Sequence, residues 1–143
     1  WKSPLEAMEL KEALHFYKGK RIFLTGHTGF KGSWLLRLLD SVEAKVTGYS
    51  LAPQTTPSLF KSLSFSKNFT SVIGDIRDKE KFSIAFNECK PEFVFHLAAQ
   101  PLVIESYKNP KETFDTNFNG LILFGWRCFG LGFLFNEFNC FLL

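Results

Sequence analysis

The stretch RIFLTGHTGFKG, residues 21–32, decides the fold. Arg21–Thr25 is a short, β-rich apolar run, read as a strand buried on both faces. Gly26, Gly29 and Gly32 follow at three-residue spacing. Lys31–Leu39 then reads as a helix, with Trp34, Leu35, Leu38 and Leu39 on one face. A glycine loop between a strand and a helix suits the pyrophosphate of a dinucleotide. One glycine permits the tight turn, one lets backbone approach the phosphates, and one lets helix pack close to strand. The phosphates meet free N–H groups at the positive end of the helix. Thr25, Thr28 and Ser33 are candidate hydroxyl donors. The GxxxxGK[ST] pattern of Walker-type phosphate binding is absent.

Outward from this stretch the chain alternates strand and helix, which predicts an α/β protein built on a doubly wound parallel sheet. Lys45–Tyr49 reads as the second strand and Leu51–Ser58 as a Pro/Thr loop. Ser71–Gly74 reads as the third strand, ending at Asp75. Asp78–Cys89 is a helix with Asp78 as N-cap, and Pro91 marks its end. Phe93–Leu97 is the fourth strand, and Lys111–Asn119 reads as helical. Dinucleotide folds usually place an acid at the end of the second strand to hold the adenosine ribose. Here that region reads Gly48-Tyr49-Ser50-Leu51-Ala52, with no acid and no Arg for a 2′-phosphate. Chemistry alone therefore prefers NAD over NADP only weakly.

The 143 residues suggest one domain, and the net charge of +3 is too small and scattered to imply nucleic acid. Cys89, Cys128 and Cys140 form no CxxC pair, and the three histidines have no ligand spacing. This argues against a metal site and a disulfide framework and points to a reducing cytoplasm. No apolar signal segment opens the chain, and Met8 is a candidate natural start. Residues 1–17 read as an N-terminal extension and 18–120 as the NAD-binding half. Residues 121–143, dense in Phe, Leu and Gly, read as an aberrant apolar tail. A frameshifted end, a divergent buried helix and strand, and a membrane segment are all open. Arg127, Asn136, Glu137 and Asn139 weigh against the membrane.

TGHTGFKGSW at 25–34 resembles the CDP-glucose 4,6-dehydratase family of the extended short-chain dehydrogenase/reductase superfamily. VTGYSLAPQTTPSLF at 46–60, IGDIRD at 73–78, KPEFVFHLAAQPLV at 90–103 and TNFNG at 116–120 resemble the same family, in its order. The resemblance covers roughly residues 18–120. It implies a Rossmann-type fold, here truncated, with tightly held NAD. The implied reaction turns CDP-glucose into a 4-keto-6-deoxy sugar nucleotide for surface polysaccharide. Hydride leaves C4 to NAD, water is lost across C5 and C6, and hydride returns to C6. Another sugar-nucleotide epimerase or dehydratase of the superfamily is the alternative.

By the same resemblance, Gly26, Gly29 and Gly32 form the pyrophosphate loop, lined further by His27, Thr28, Phe30 and Lys31. Asp75 accepts from the adenine amine and Ile76 packs on the ring. Leu97, Ala98, Ala99 and Gln100 run under the cofactor, and Thr116 and Asn117 support its end of the sheet. His96, between Phe95 and Leu97, reads as a packed core residue, and His27 as a cofactor or substrate neighbour. The family is a homodimer. Two departures stand out. Ile104-Glu105 replaces the basic residue usual after QPLV, and the resemblance stops near Gly120, before the superfamily's Tyr-x-x-x-Lys pair. Tyr107 and Lys111 match that pair literally, but Pro110 interrupts the helix it requires. No catalytic residue is therefore assigned. An NAD-binding fragment of an interrupted gene, without turnover, is the competing expectation.

Overall fold

The computed structural model describes residues 12–100, 102–120, 122, 125 and 139–142. Met8 and most of the apolar tail lie outside these residues. Strands β1 (Arg21–Thr25), β2 (Lys45–Ser50), β3 (Phe69–Ile73), β4 (Phe93–His96) and β5 (Asn139–Leu142) form one sheet in the order β3-β2-β1-β4-β5. All its pairings are parallel. Chain direction reverses its spread between β1 and β4. That leaves a crevice beyond their carboxyl ends, where ligands of such sheets bind.

Both faces of β1 are buried because its side chains alternate between two cores. Ile22 and Leu24 join Leu36 and Leu39 of helix α1 (Phe30–Ser41), and Phe60 of the short helix α2 (Leu59–Ser62) packs there too. Phe23 faces the other way, onto Phe82, Ala85 and Phe86 of helix α3 (Lys79–Cys89). Helices thus cover both faces, and the sheet is doubly wound and of Rossmann type. Asp78 caps α3 as expected, its side chain accepting from the Lys81 N–H at 3.1 Å. Phe82 is fully buried, edge-on to Phe23 (5.5 Å) and Tyr49 (5.3 Å). Phe82→Ala is expected to cost about 3–5 kcal/mol. Denaturant titration checks this, and a loss below about 1 kcal/mol would show that this core is not packed as described.

Several elements differ from expectation. The buried face of α1 is Gly32, Ser33, Leu36, Leu39 and Asp40, while Trp34 and Leu38 are exposed. The glycine at 32 brings that side of the helix onto the loop, which rotates the expected face outward. β3 begins at Phe69 rather than Ser71, because its pairing with β2 runs from Val46. The helix expected over 111–119 is present, with α5 (Pro110–Phe114) passing directly into a π-helical turn at Asp115–Asn119; a short helix not expected, α4 (Val103–Lys108), precedes it. Asn109, with φ −130° and ψ 66°, separates α4 from α5 because Pro110 follows it.

Two segments read as outside the domain touch it. Tyr17 packs edge-on against Phe93 (5.2 Å) and Phe95 (5.8 Å). Asn139–Leu142, from the apolar tail, pairs along β4 as β5. No helix among the described residues is long and apolar enough to cross a membrane.

Candidate dinucleotide site

β1 ends at Thr25, which is fully buried. Its hydroxyl oxygen accepts the N–H groups of Leu97 (3.1 Å) and Ala98 (3.2 Å) and lies 2.7 Å from His96 Nδ1. Both lone pairs are used, so the Thr25 proton goes to His96 Nδ1. His96 is therefore neutral, and burial lowers its pKa to about 4. The expectation of a packed core histidine agrees with this geometry. Its role is to lock β1 to the start of the loop after β4.

Gly26 turns the chain out of β1 at φ +76°, and a Cβ there would lie 2.7 Å from the Leu97 backbone. A Cβ at Gly32 would lie 2.0 Å from the Gly26 carbonyl oxygen. Both glycines are demanded by the protein's own packing. Gly29 is different. Its φ of −72° and ψ of 167° suit any residue, and a Cβ would meet only the Gly26 oxygen, at 3.3 Å. Among the described residues nothing else comes within 4 Å of that Cβ, so the glycine there keeps room for a group from outside. Gly29 also caps α1 without a side-chain bond, and the first turn carries no acid. The first-turn N–H groups and the exposed Lys31 are left for an anion. These residues fit a diphosphate.

The three expected hydroxyl donors do not serve the phosphates. Thr25 is committed to His96. Ser33 Oγ bonds the carbonyls of Gly29 (2.7 Å) and His27 (3.1 Å), and Thr28 Oγ1 donates to the Leu51 carbonyl (2.8 Å). The groups left that could meet an anion are backbone N–H groups and Lys31.

His27 departs from expectation as well. Its ring is fully buried beneath the loop, over Gly48 and between Phe60 (5.2 Å) and Phe69 (5.6 Å), with Nε2 2.8 Å from Ser71 Oγ. Gly48 is what admits the ring, since a Cβ there would lie 2.5 Å from it. Burial lowers the His27 pKa to about 4, opposed in part by the Tyr49 backbone. Phe30, by contrast, is 72% exposed beside the loop.

At the rim, Asp75 follows β3 and is held by Arg77, whose Nη2 lies 2.6 Å and Nε 3.0 Å from its carboxylate. This pairing holds the Asp75 carboxyl below the usual carboxylate range. Arg77 also reaches Glu112 of α5 at 3.6 Å. The Ile76 side chain is buried in the α3 core rather than laid open at the rim, because Gly120 and Phe82 close over it. After β4, Leu97 and Ala98 are half-buried, Ala99 is exposed, and Gln100 is clamped. Asn117 Oδ1 accepts the Gln100 N–H (2.7 Å) while its Nδ2 donates to the Gln100 carbonyl (3.1 Å). The Asn117 amide thus fixes the loop rather than pointing at a ligand; Thr116 beside it is half-buried. A groove lined by Ser106, Pro110, Thr113, Phe114, Asn117 and Phe118 lies on the α4–α5 side, and its polar groups are mostly spent on internal bonds. Sequence reasoning missed Arg77, which was signalled only by its place beside Asp75.

The parallel doubly wound sheet, the switch between β1 and β4 and the open Gly29 loop define a dinucleotide-binding type of α/β protein. The chain belongs to the GDP-mannose 4,6 dehydratase family, whose model matches residues 23–124. It is 53% identical over 108 residues to the CDP-glucose 4,6-dehydratase of Salmonella typhimurium, covering 76% of this chain and 30% of that protein. An epimerase from Methanothermobacter thermautotrophicus superposes with a TM-score of 0.72 at 29% identity, over 85% of this chain and 34% of that one. The UDP-glucose 4-epimerase of Thermus thermophilus, solved in complex with NAD, superposes with a TM-score of 0.66 at 28% identity, over 78% and 34%. The chain spans about a third of the length of the relatives it matches.

Proposed function

We propose that this chain is the NAD-binding part of a sugar-nucleotide 4,6-dehydratase acting on CDP-glucose. The observation that carries the reading is the space kept beside Gly29, above unspent N–H groups and next to Lys31. The 53% identity to a CDP-glucose 4,6-dehydratase supports the substrate. Gly26, Gly29 and Gly32 shape the loop, and the first turn of α1 binds the diphosphate. Asp75 offers its half-buried carboxylate at the adenine end, and Leu97–Gln100 form the floor that Thr25 and Asn117 hold in place. Bound NAD would supply a hydride acceptor and donor for the sugar ring. A homodimer in the cytoplasm belongs to the same proposal.

A second reading is an NAD-binding module without turnover. It is favoured by the break at Asn109, which separates Tyr107 on α4 from Lys111 on α5. The described residues thus offer no Tyr and Lys four apart on one continuous helix to move a proton with the hydride. Calorimetry with NAD tests the shared claim, and no heat of binding would refute it. Incubation with CDP-glucose separates the two readings: a 4-keto product made by this chain alone would sink the module.

A further inference from the structure

The end of β2 carries no carboxylate, yet it is not chemically blank. Thr28 Oγ1 lies 2.8 Å from Ser50 Oγ and 2.8 Å from the Leu51 carbonyl oxygen. A carbonyl only accepts, so the single Thr28 proton is committed to Leu51. The proton between the two hydroxyls must then come from Ser50. The chain of bonds runs Ser50 to Thr28 to Leu51, and its direction is forced. Every hydroxyl proton is spent inside the protein. What remains is lone pairs: one on Thr28 and two on Ser50. The Thr28–Leu51 bond lies at the exposed rim, and the Ser50–Thr28 bond is half-buried beside it.

We propose that this hydroxyl relay is the adenosine-ribose subsite, an uncharged acceptor that takes the 2′-hydroxyl in place of the usual acid. The inference rests on the NAD reading above. The position is right, because the ribose of a dinucleotide lies at the end of the second strand. The chemistry is right, because a ribose hydroxyl can donate to an acceptor-only site. The relay also sets selectivity by a route unlike that of a carboxylate. A 2′-phosphate finds no donor in the relay, so NADP binds more weakly than NAD. It also meets no negative charge, so the penalty is smaller than an acid would impose.

The test is calorimetry of the whole chain with NAD, 2′-deoxy-NAD and NADP, on the wild type, the double variant Thr28→Val/Ser50→Ala, and Ser50→Asp. Wild type should bind NAD about tenfold more tightly than 2′-deoxy-NAD, the weight of one well-made hydrogen bond. Thr28→Val together with Ser50→Ala, which removes all three lone pairs, should bring the two ligands to within about twofold of each other. Ser50→Asp should widen the preference for NAD over NADP by at least about tenfold, through charge repulsion. Equal wild-type affinity for NAD and 2′-deoxy-NAD would overturn the relay while leaving the glycine loop intact as a cofactor site. So would a Thr28→Val/Ser50→Ala chain that keeps the full discrimination. No wild-type binding of NAD at all would overturn the cofactor reading itself. Melting temperatures of the variants within a few degrees of wild type establish that the comparison is between folded chains.

Discussion

Gly29→Val should abolish NAD binding by this chain while leaving its thermal unfolding almost unchanged. The two effects separate because Gly29 owes nothing to internal packing. Its backbone dihedrals are ordinary, and a Cβ meets only the Gly26 oxygen at 3.3 Å, which yields with a shift of a few tenths of an ångström. The isopropyl group would stand in the space facing the first turn of α1 and keep a phosphate from its N–H groups. A loss of at least about a hundredfold is expected, since several charge-assisted bonds fail together. Gly32→Ala should behave in the opposite way. Its Cβ would sit 2.0 Å from the Gly26 carbonyl oxygen, so α1 must move off the loop. That chain should lose several kcal/mol of stability, as overpacked and strained sites do. Calorimetry and a melting curve on both variants check the pair. Unchanged NAD affinity in Gly29→Val would remove the glycine loop as the site.

Stability should also fall steeply as pH drops from about 6.5 towards 4. His27 and His96 are buried and neutral, each with a pKa lowered to about 4 from an ordinary 6.5. The unfolded chain takes up protons on both rings below pH 6.5, and the folded chain does not until about pH 4. The stabilisation is therefore complete above pH 6.5, declines through that window and levels off beneath it. Each ring contributes roughly 3 kcal/mol over the whole range, so the pair removes much of a typical domain's stability. Asp75 and Glu92, held below their ordinary range by Arg77 and by the Arg21 backbone, add a loss of the same sign at still lower pH. Protonation of His96 has a further local consequence. Thr25 would lose the acceptor for its proton while still accepting from Leu97 and Ala98, and the floor of the site would loosen. Urea titrations from pH 7.5 to 4.5 measure the slope, and His96→Gln should remove about half of it. A flat profile through this window would show that the rings are not held as described.

The strand, loop and first helix were legible in RIFLTGHTGFKG because their signals are local. A short run centred on Ile22, Phe23 and Leu24, three spaced glycines and an amphipathic stretch need no distant partner to be read. The parallel sheet followed from the alternation of such units, and Asp78 followed from the capping rule. What local signals misjudged shares one cause. The face of α1, the ring of His27 and the hydroxyls of Thr25, Thr28 and Ser33 each choose between alternatives of similar local energy. Residues far along the chain make that choice. His27 turns inward because Gly48, twenty-one positions away, leaves space for its ring and Ser71 bonds it. Asn117 turns to Gln100 because a π-helical turn sets its amide against that loop. The missing acid after β2 was visible in Gly48-Tyr49-Ser50-Leu51-Ala52. That a directed pair of hydroxyls stands there appears only when the loop brings Thr28 beside Ser50, because the direction of a hydrogen bond depends on every partner at once.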